Sequence, residues 1–204
     1  MPSLIRLIYA AAFCTATTAC TSNPQDQEHA MTKQSNLTST CIKTIDFTDS
    51  NESSQWRVVN DNVMGGRSEG DFSIAGSQLR FAGFINTNGG GFSSIRRAVT
   101  LPAMNIPQQV KLRVKTRNHL PEYRLIIHTN QSQFINHRAP LPLLETDDWQ
   151  ELSIKLSDLV PSRFGRVLDG PKLGNTDIRS IGLMRTSKSD GEFELLVDWI
   201  KVCR

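Results

Sequence analysis

From residue 41 onward, apolar and polar residues either alternate with a period of two or gather in short apolar runs, the spacing of strands rather than helices. The cleanest case is VKLRVKT (110–116), with Val110, Leu112 and Val114 on one face and Lys111, Arg113 and Lys115 on the other. Further strands are predicted at 41–47, 56–60, 71–75, 78–84, 92–99, 122–129, 149–156, 178–186 and 192–202. A Gly76-Ser77 turn links 71–75 to 78–84, and in 92–99 Phe92, Ser94 and Arg96 share one face while Ser93, Ile95 and Arg97 share the other. The single helix-like piece, 157–160, stops at Pro161. Strands of this length divided by Gly, Asn, Asp and Pro turns predict an all-β sandwich or barrel. In 192–202 both faces are apolar (Leu195, Val197 and Trp199 against Leu196 and Ile200), which places that strand centrally. Asp198 stands out there, and is expected to bond backbone or an Arg.

The first forty residues follow another pattern. Arg6, an apolar core from Leu7 to Phe13 and small residues at 15–19 are the parts of a secretory signal, and the core is too short to span a bilayer. The run TTAC resembles a bacterial lipobox, with Thr17 where Leu is usual, so Cys20 is expected to become a lipidated first residue. Plain cleavage, giving a secreted or periplasmic protein, and a cytosolic start at Met31 are the alternatives. Thr21 and Ser22 after the Cys favour the outer membrane, with the protein facing the periplasm. Residues 21–40 are polar and lack aromatics, the composition of a flexible tether. The expected organisation is a signal at 1–19, the lipidated Cys and tether at 20–40, and a β domain at 41–204.

Cysteine and charge narrow the setting. With Cys14 in the signal and Cys20 set aside, Cys41 and Cys203 remain at the two ends of the domain. If their strands run antiparallel side by side the sulfurs can meet, and closing so long a loop stabilises by roughly 4 kcal/mol or more. Two separate buried thiols are the alternative. The net charge of +3 falls to +2 without Arg6, and the scattered Lys and Arg exclude a nucleic-acid surface.

The stretch VNDNVMGGRS (59–68) invites comparison with a phosphate loop, but no Lys follows the glycines and no helical period comes next. Gly65 and Gly66 suit positive-φ positions, and Asn60, Asp61 and Asn62 suit turns that bond their own backbone. The segment 88–91 repeats that chemistry. If the two loops border one surface, Asn60, Asp61, Arg67, Asn88, Ser93 and Arg96 offer donors and acceptors to a polar ligand or a peptide backbone. Trp56, Phe92 and Trp149 are either sugar platforms or core, and Trp149 is retained in the candidate surface. Arg96, Arg124 and Arg185 read inward within apolar strands and require partners, for which Asp61 or Asp198 is expected. His128 and His137 could face each other across a hairpin, but no third ligand follows. Asp46, Asp49 and Glu194 could hold a structural calcium, although their spacing is not specific, and no metal or cofactor is predicted. Neither a GxSxG elbow nor an acid pair in glycosidase surroundings is present as a sequence signature.

NDNVMGGRS (60–68), LRFAGFINTNGGGFSSIRR (79–97), Trp149, LGNTDIRSIGLM (173–184) and GEFELLVDWIKV (191–202) occur in the order found in the complex I intermediate-associated protein family. That family comprises the thirty-kilodalton mitochondrial assembly factor and its bacterial relatives, and the chain resembles it from about residue 43 to the C-terminus. Asn62 stands where Gly is frequent, and Gly89-Gly90-Gly91 has one Gly more than the commoner form. The resemblance implies a galactose-binding-domain-like jelly-roll β-sandwich without established catalysis. The leading expectation is a non-catalytic envelope module that binds a protein partner, with an assembly or chaperone-like role. A carbohydrate-binding module for a cell-surface glycan is the alternative, and an uncharacterised hydrolase comes third. A glycan site calls for a concave face with an exposed aromatic beside polar loops, and a protein site for an apolar patch without a deep pocket.

Overall fold

The computed structural model describes residues 40–101, 106–117, 122–130, 132–170, 173 and 178–204. The expected signal at 1–19, Cys20 and all but the last residue of the tether lie outside the described residues. The strands are β1 (Cys41–Ile45), β2 (Trp56–Asn60), β3 (Glu69–Ala75), β4 (Gln78–Ile85), β5 (Phe92–Ala98), β6 (Gln109–Thr116), β7 (Glu122–Thr129), β8 (Ser132–Pro140), β9 (Gln150–Lys155), β10 (Val160–Arg163), β11 (Arg166–Val167), β12 (Ile178–Thr186) and β13 (Gly191–Cys203). A six-stranded sheet runs β3-β4-β13-β6-β9 with β1 also on β13, and a seven-stranded sheet runs β11-β10-β8-β7-β12-β5-β2. All the described pairings are antiparallel. The architecture is the all-β jelly-roll sandwich expected.

The two inner faces meet in one core. Leu79, Phe81, Val110, Leu112, Val114, Leu195 and Val197 come from the first sheet, and Ile95, Leu125, Ile127, Ile181 and Leu183 from the second. The alternation read in 110–116 is the one observed, with Val110, Leu112 and Val114 fully buried. Trp56 is also core, between Phe47 at 6.0 Å and Phe72 at 6.4 Å, with its indole N–H donated to Glu52. Glu52 takes a two-pronged pair from Arg97, so this buried acid is matched and hydrogen-bonded.

β13 is central, as its two apolar faces suggest, but the reason is a bulge. The register slips between Val197 and Trp199 against β6, leaving Asp198 as the extra residue. Inward positions are therefore Phe193, Leu195 and Val197 before the bulge, and Ile200 and Val202 after it. Asp198 turns outward and pairs with Arg113 at 2.5 Å. The far edge of β13 is shared: β4 takes Gly191 to Val197 and β1 takes Ile200 to Cys203. Cys41 is registered directly opposite Cys203 and the two form a disulfide.

Three strands escape the period-two reading. In β8 the outward residues are Phe134, Asn136 and Arg138, while the face shared with core residues Leu125 and Ile127 carries Ala139 and His137, so hydrophobicity no longer marks the inner side. β10 contains Pro161, and β11 is only two residues long. The helix-like piece is a single 3-10 turn, Leu156–Asp158.

Candidate functional site: a cation-lined cleft beside the Asp61 loops

The loop 61–68 starts with a 3-10 turn, Asp61–Met64, closed by Gly65 at φ 87°. Asp61 is fully buried, and its carboxylate accepts four hydrogen bonds: Ser68 N at 2.8 Å, Ser68 Oγ at 2.6 Å, Gly91 N at 2.6 Å and Phe92 N at 3.2 Å. Burial raises its pKa, but the Ser68 hydroxyl and the three backbone N–H groups outweigh that and hold it below the usual carboxylate range. The carboxylate fits because Gly66 and Gly90 press against it; a Cβ on either would sit within 2.4 Å of its atoms. One acid thus joins loop 61–68 to loop 86–91. This corrects the expectation that Asp61 would pair with an Arg: backbone amides and a hydroxyl take that role, and Asp198 is held by Arg113 instead.

Beside these loops, the outer face of the seven-stranded sheet forms a cleft of about 620 Å3. The strand register places its floor in rows. Arg96 (β5), Gly182 (β12), Ile126 (β7) and Arg138 (β8) lie side by side, so Arg96 and Arg138 flank a low floor. Three strand spacings of about 4.8 Å put their Cα atoms about 14 Å apart. One row on, Met184 neighbours Arg124; the row on the other side holds Ser180, His128 and Asn136. Exposed Phe134 (56%) and Phe164 (60%) stand at the rim, with the Arg163 guanidinium 5.7 Å and 5.2 Å from their ring centres. Phe164 occupies the left-handed region (φ 48°) in the two-residue turn between β10 and β11, a position where Gly or Asn is at ease.

The cleft cations are poorly matched. Arg124 lies 3.6 Å from the exposed Glu122 and donates to Thr186. Arg138 donates one Nη to the Gly165 carbonyl at 2.8 Å. The Nε atoms of Arg96 and Arg138 and the Oδ1 of Asn136 are buried without a hydrogen-bond partner among the described residues. Burial, then repulsion from Arg57, pushes the Arg96 pKa down to about 10. Burial, then the charges of Arg96, Arg57 and Arg179 and the neighbouring His137, pushes His128 down to about 4, so its ring is neutral at pH 7. Because a guanidinium has no acceptor, His128 Nε2 accepts from Arg96 (3.5 Å) and the Nδ1–H faces Ser180 Oγ (3.2 Å).

The predicted surface residues separate into groups. Asp61 and Arg96 line the cleft, as does Phe92. Asn60 and Ser93 are internal: Asn60 Oδ1 accepts from Ser93 Oγ and Gly70 N, and Asn60 Nδ2 donates to the Gly70 carbonyl. Arg67 and Asn88 are exposed on the two loops outside the cleft lining. Trp149 is elsewhere, packed under Arg113 at 5.0 Å against the six-stranded sheet. Of the three arginines read as inward, Arg96 and Arg124 face the cleft, and Arg185 alone faces the core, over Tyr123 at 5.8 Å. His137 is registered with core-facing Ile127, while His128 is registered with Asn136 on the open face, so the two rings do not face each other. Asp46 holds Thr48, Asp49 holds Asn51 N, and Glu194 holds Arg80 and Arg117, and no three acids, His or Cys converge among the described residues. Sequence reading missed Arg138, Asn136, Phe134 and Phe164; exposed Phe residues amid polar neighbours in SQFINHR and SRFGR are the signal that could have found the rim.

Two antiparallel sheets with a cleft on one open face place the molecule among jelly-roll sandwiches, and solved structures of that class share its fold. The family 11 carbohydrate-binding module of a cellulosomal cellulase of Clostridium thermocellum matches with a TM-score of 0.56 at 11% identity, over 81% of this chain and 95% of that one. A family 11 module from Clostridium thermocellum in complex with a β-1,3-1,4-mixed-linked tetrasaccharide gives 0.56 at 14% identity, over 80% and 97%. An agarase, AgWH50C, gives 0.54 at 10% identity, over 80% of this chain and 26% of the agarase. At such identities the likeness is one of fold. No curated protein sequence matches the chain. The sequence profile of the family Complex I intermediate-associated protein 30 (CIA30) matches residues 45–197, and the chain belongs to that family.

Proposed function

We propose that this protein is a non-catalytic module that binds a glycan in the cleft of the seven-stranded sheet, held at the cell envelope through Cys20. The observation that carries this reading is the meeting, in one concave site, of exposed Phe134 and Phe164 with the polar groups of Arg96, Asn136 and Arg138. A sugar ring has an apolar face and a rim of hydroxyls, and such a site offers both a flat ring and oriented donors. The fold shared with carbohydrate-binding modules agrees with it. Among the described cleft residues the carboxylates are Glu122 and Asp61. Asp61 is enclosed by its four donors, which leaves one free acid where glycoside hydrolysis uses two. Glycan binding thus moves ahead of the protein-partner reading that the sequence alone puts first.

An oligosaccharide array with Phe134→Ala and Phe164→Asn variants tests this reading. Each variant is expected to weaken binding about tenfold, the loss of one ring contact worth about 1.4 kcal/mol. Phe164→Asn should hold or raise thermal stability, because it relieves a left-handed Phe that costs about 1 kcal/mol. An array with no reproducible sugar binding rejects the proposal.

Family membership favours a second reading, in which the ligand is a protein, as the name of the CIA30 family suggests. Exposed Val63 (68%) and Met64 (53%) on loop 61–68 supply its apolar contact. Affinity capture from envelope extracts that returns one stoichiometric partner, lost in Val63→Ser/Met64→Ser, would establish it.

A further inference from the structure

We infer that the glycan taken by this cleft is an acidic one, a chain carrying carboxylate groups, recognised by Arg96, Arg124 and Arg138. The inference rests on the glycan reading above and specifies its ligand class. Its ground is the imbalance of charge in the site. Arg96, Arg124, Arg138 and Lys188 line the cleft, against Glu122 and an Asp61 whose carboxylate is already bonded on all sides. Glu122 stands at the rim, 63% exposed, 3.6 Å from Arg124, and also accepts from the Thr186 hydroxyl at 3.3 Å.

A buried guanidinium without a carboxylate is costly, so natural structures pair it. Elsewhere the mostly buried Arg97 pairs with Glu52, the more exposed Arg113, Arg80 and Arg117 pair with Asp198 and Glu194, and the buried Arg185 lies over the Tyr123 ring. Arg80, Arg117 and Glu194 lie in a second depression, on the six-stranded sheet, where Glu69, Asp71, Glu192 and Glu194 outnumber the two arginines. In the cleft the excess is of cations. The buried Nε–H groups of the half-buried Arg96 and Arg138, which flank Gly182 and Ile126, have no acceptor among the described residues. The missing acceptor is of the kind an Arg fork binds with two parallel bonds, a carboxylate or a sulfate ester. Two arginines whose Cα atoms stand about 14 Å apart suit successive charges along an extended chain better than one small ion. Phe134 and Phe164 at the rim add the ring contact that a sugar provides and a free anion lacks.

Calorimetric titration of the protein separates the possibilities. The ligands are an oligogalacturonate, the same oligomer with its carboxyls reduced to alcohols, a sulfated oligosaccharide of equal length, and a neutral mixed-linkage glucan. The expected result is binding of a charged oligomer that weakens as salt rises, and weakens about tenfold or more on carboxyl reduction. Arg96→Gln and Arg124→Gln should each cost about tenfold for the charged ligand, with thermal unfolding confirming that the variants remain folded. Tighter binding of the uronate oligomer than of the sulfated one supports the inference, and binding of the sulfated oligosaccharide alone overturns its carboxylate assignment. Equal binding of the reduced oligomer or the neutral glucan overturns the inference but leaves glycan binding standing. No binding to any of the four, on a protein that also fails the array, removes both.

Discussion

Replacing Asp61 by Asn would keep the side-chain volume but remove the charge on which Ser68, Gly91 and Phe92 converge. The variant is expected to lose about 2–3 kcal/mol in urea unfolding, the worth of hydrogen bonds to a buried charge that a neutral amide cannot replace. Because Asp61 has a depressed pKa when folded, its contribution is complete above the unfolded value near 4 and disappears as pH falls through the folded one. Acid unfolding of Asp61→Asn should therefore lack that part of the wild-type pH dependence. His128 acts over a neighbouring window. Its folded pKa is near 4 and its unfolded pKa near 6.5, so between these values the unfolded chain binds the extra proton and stability falls as pH drops. The slope approaches about 1.4 kcal/mol per pH unit, and His128→Gln should flatten it. The sequence marked Asp61 and the three arginines as needing partners, which is a matter of charge and burial. It could not identify the partners. Three of the four donors to Asp61 are backbone amides, which have no sequence signature, and whether Arg96 faces core or cleft depends on which side of β5 the second sheet packs.

At the scale of elements, the ten strands with alternation or a short apolar run were legible, and the three with neither were not. β8 carries His137 on its inner side and Phe134 on its outer side, where it lines the cleft, so the pattern that reveals a strand is inverted there. The bulge at Asp198 was visible only as an acid in an apolar run, since a register shift belongs to a pair of strands rather than to one. The Cys41–Cys203 bond belongs to this scale too, joining β1 to β13 across a separation of 162 residues. The double variant Cys41→Ser/Cys203→Ser should lower the unfolding free energy by about 5 kcal/mol, measured in urea. Alkylation of the folded wild-type protein without reductant should leave both sulfurs unlabelled.

For the whole molecule, the proposed setting at the envelope rests on the lipobox-like run before Cys20. A fatty-acid analogue fed to expressing cells should label the protein and fail to label Cys20→Ser; an unlabelled wild type rejects the anchor. β13 has a consequence for how such a protein is made. It is the common neighbour of β1, β4 and β6, and it follows all three in the chain. Until β13 has been synthesised, the β3–β4 hairpin and the β6–β9 pair have no strand between them, so the six-stranded sheet is completed only by the latest of its own strands.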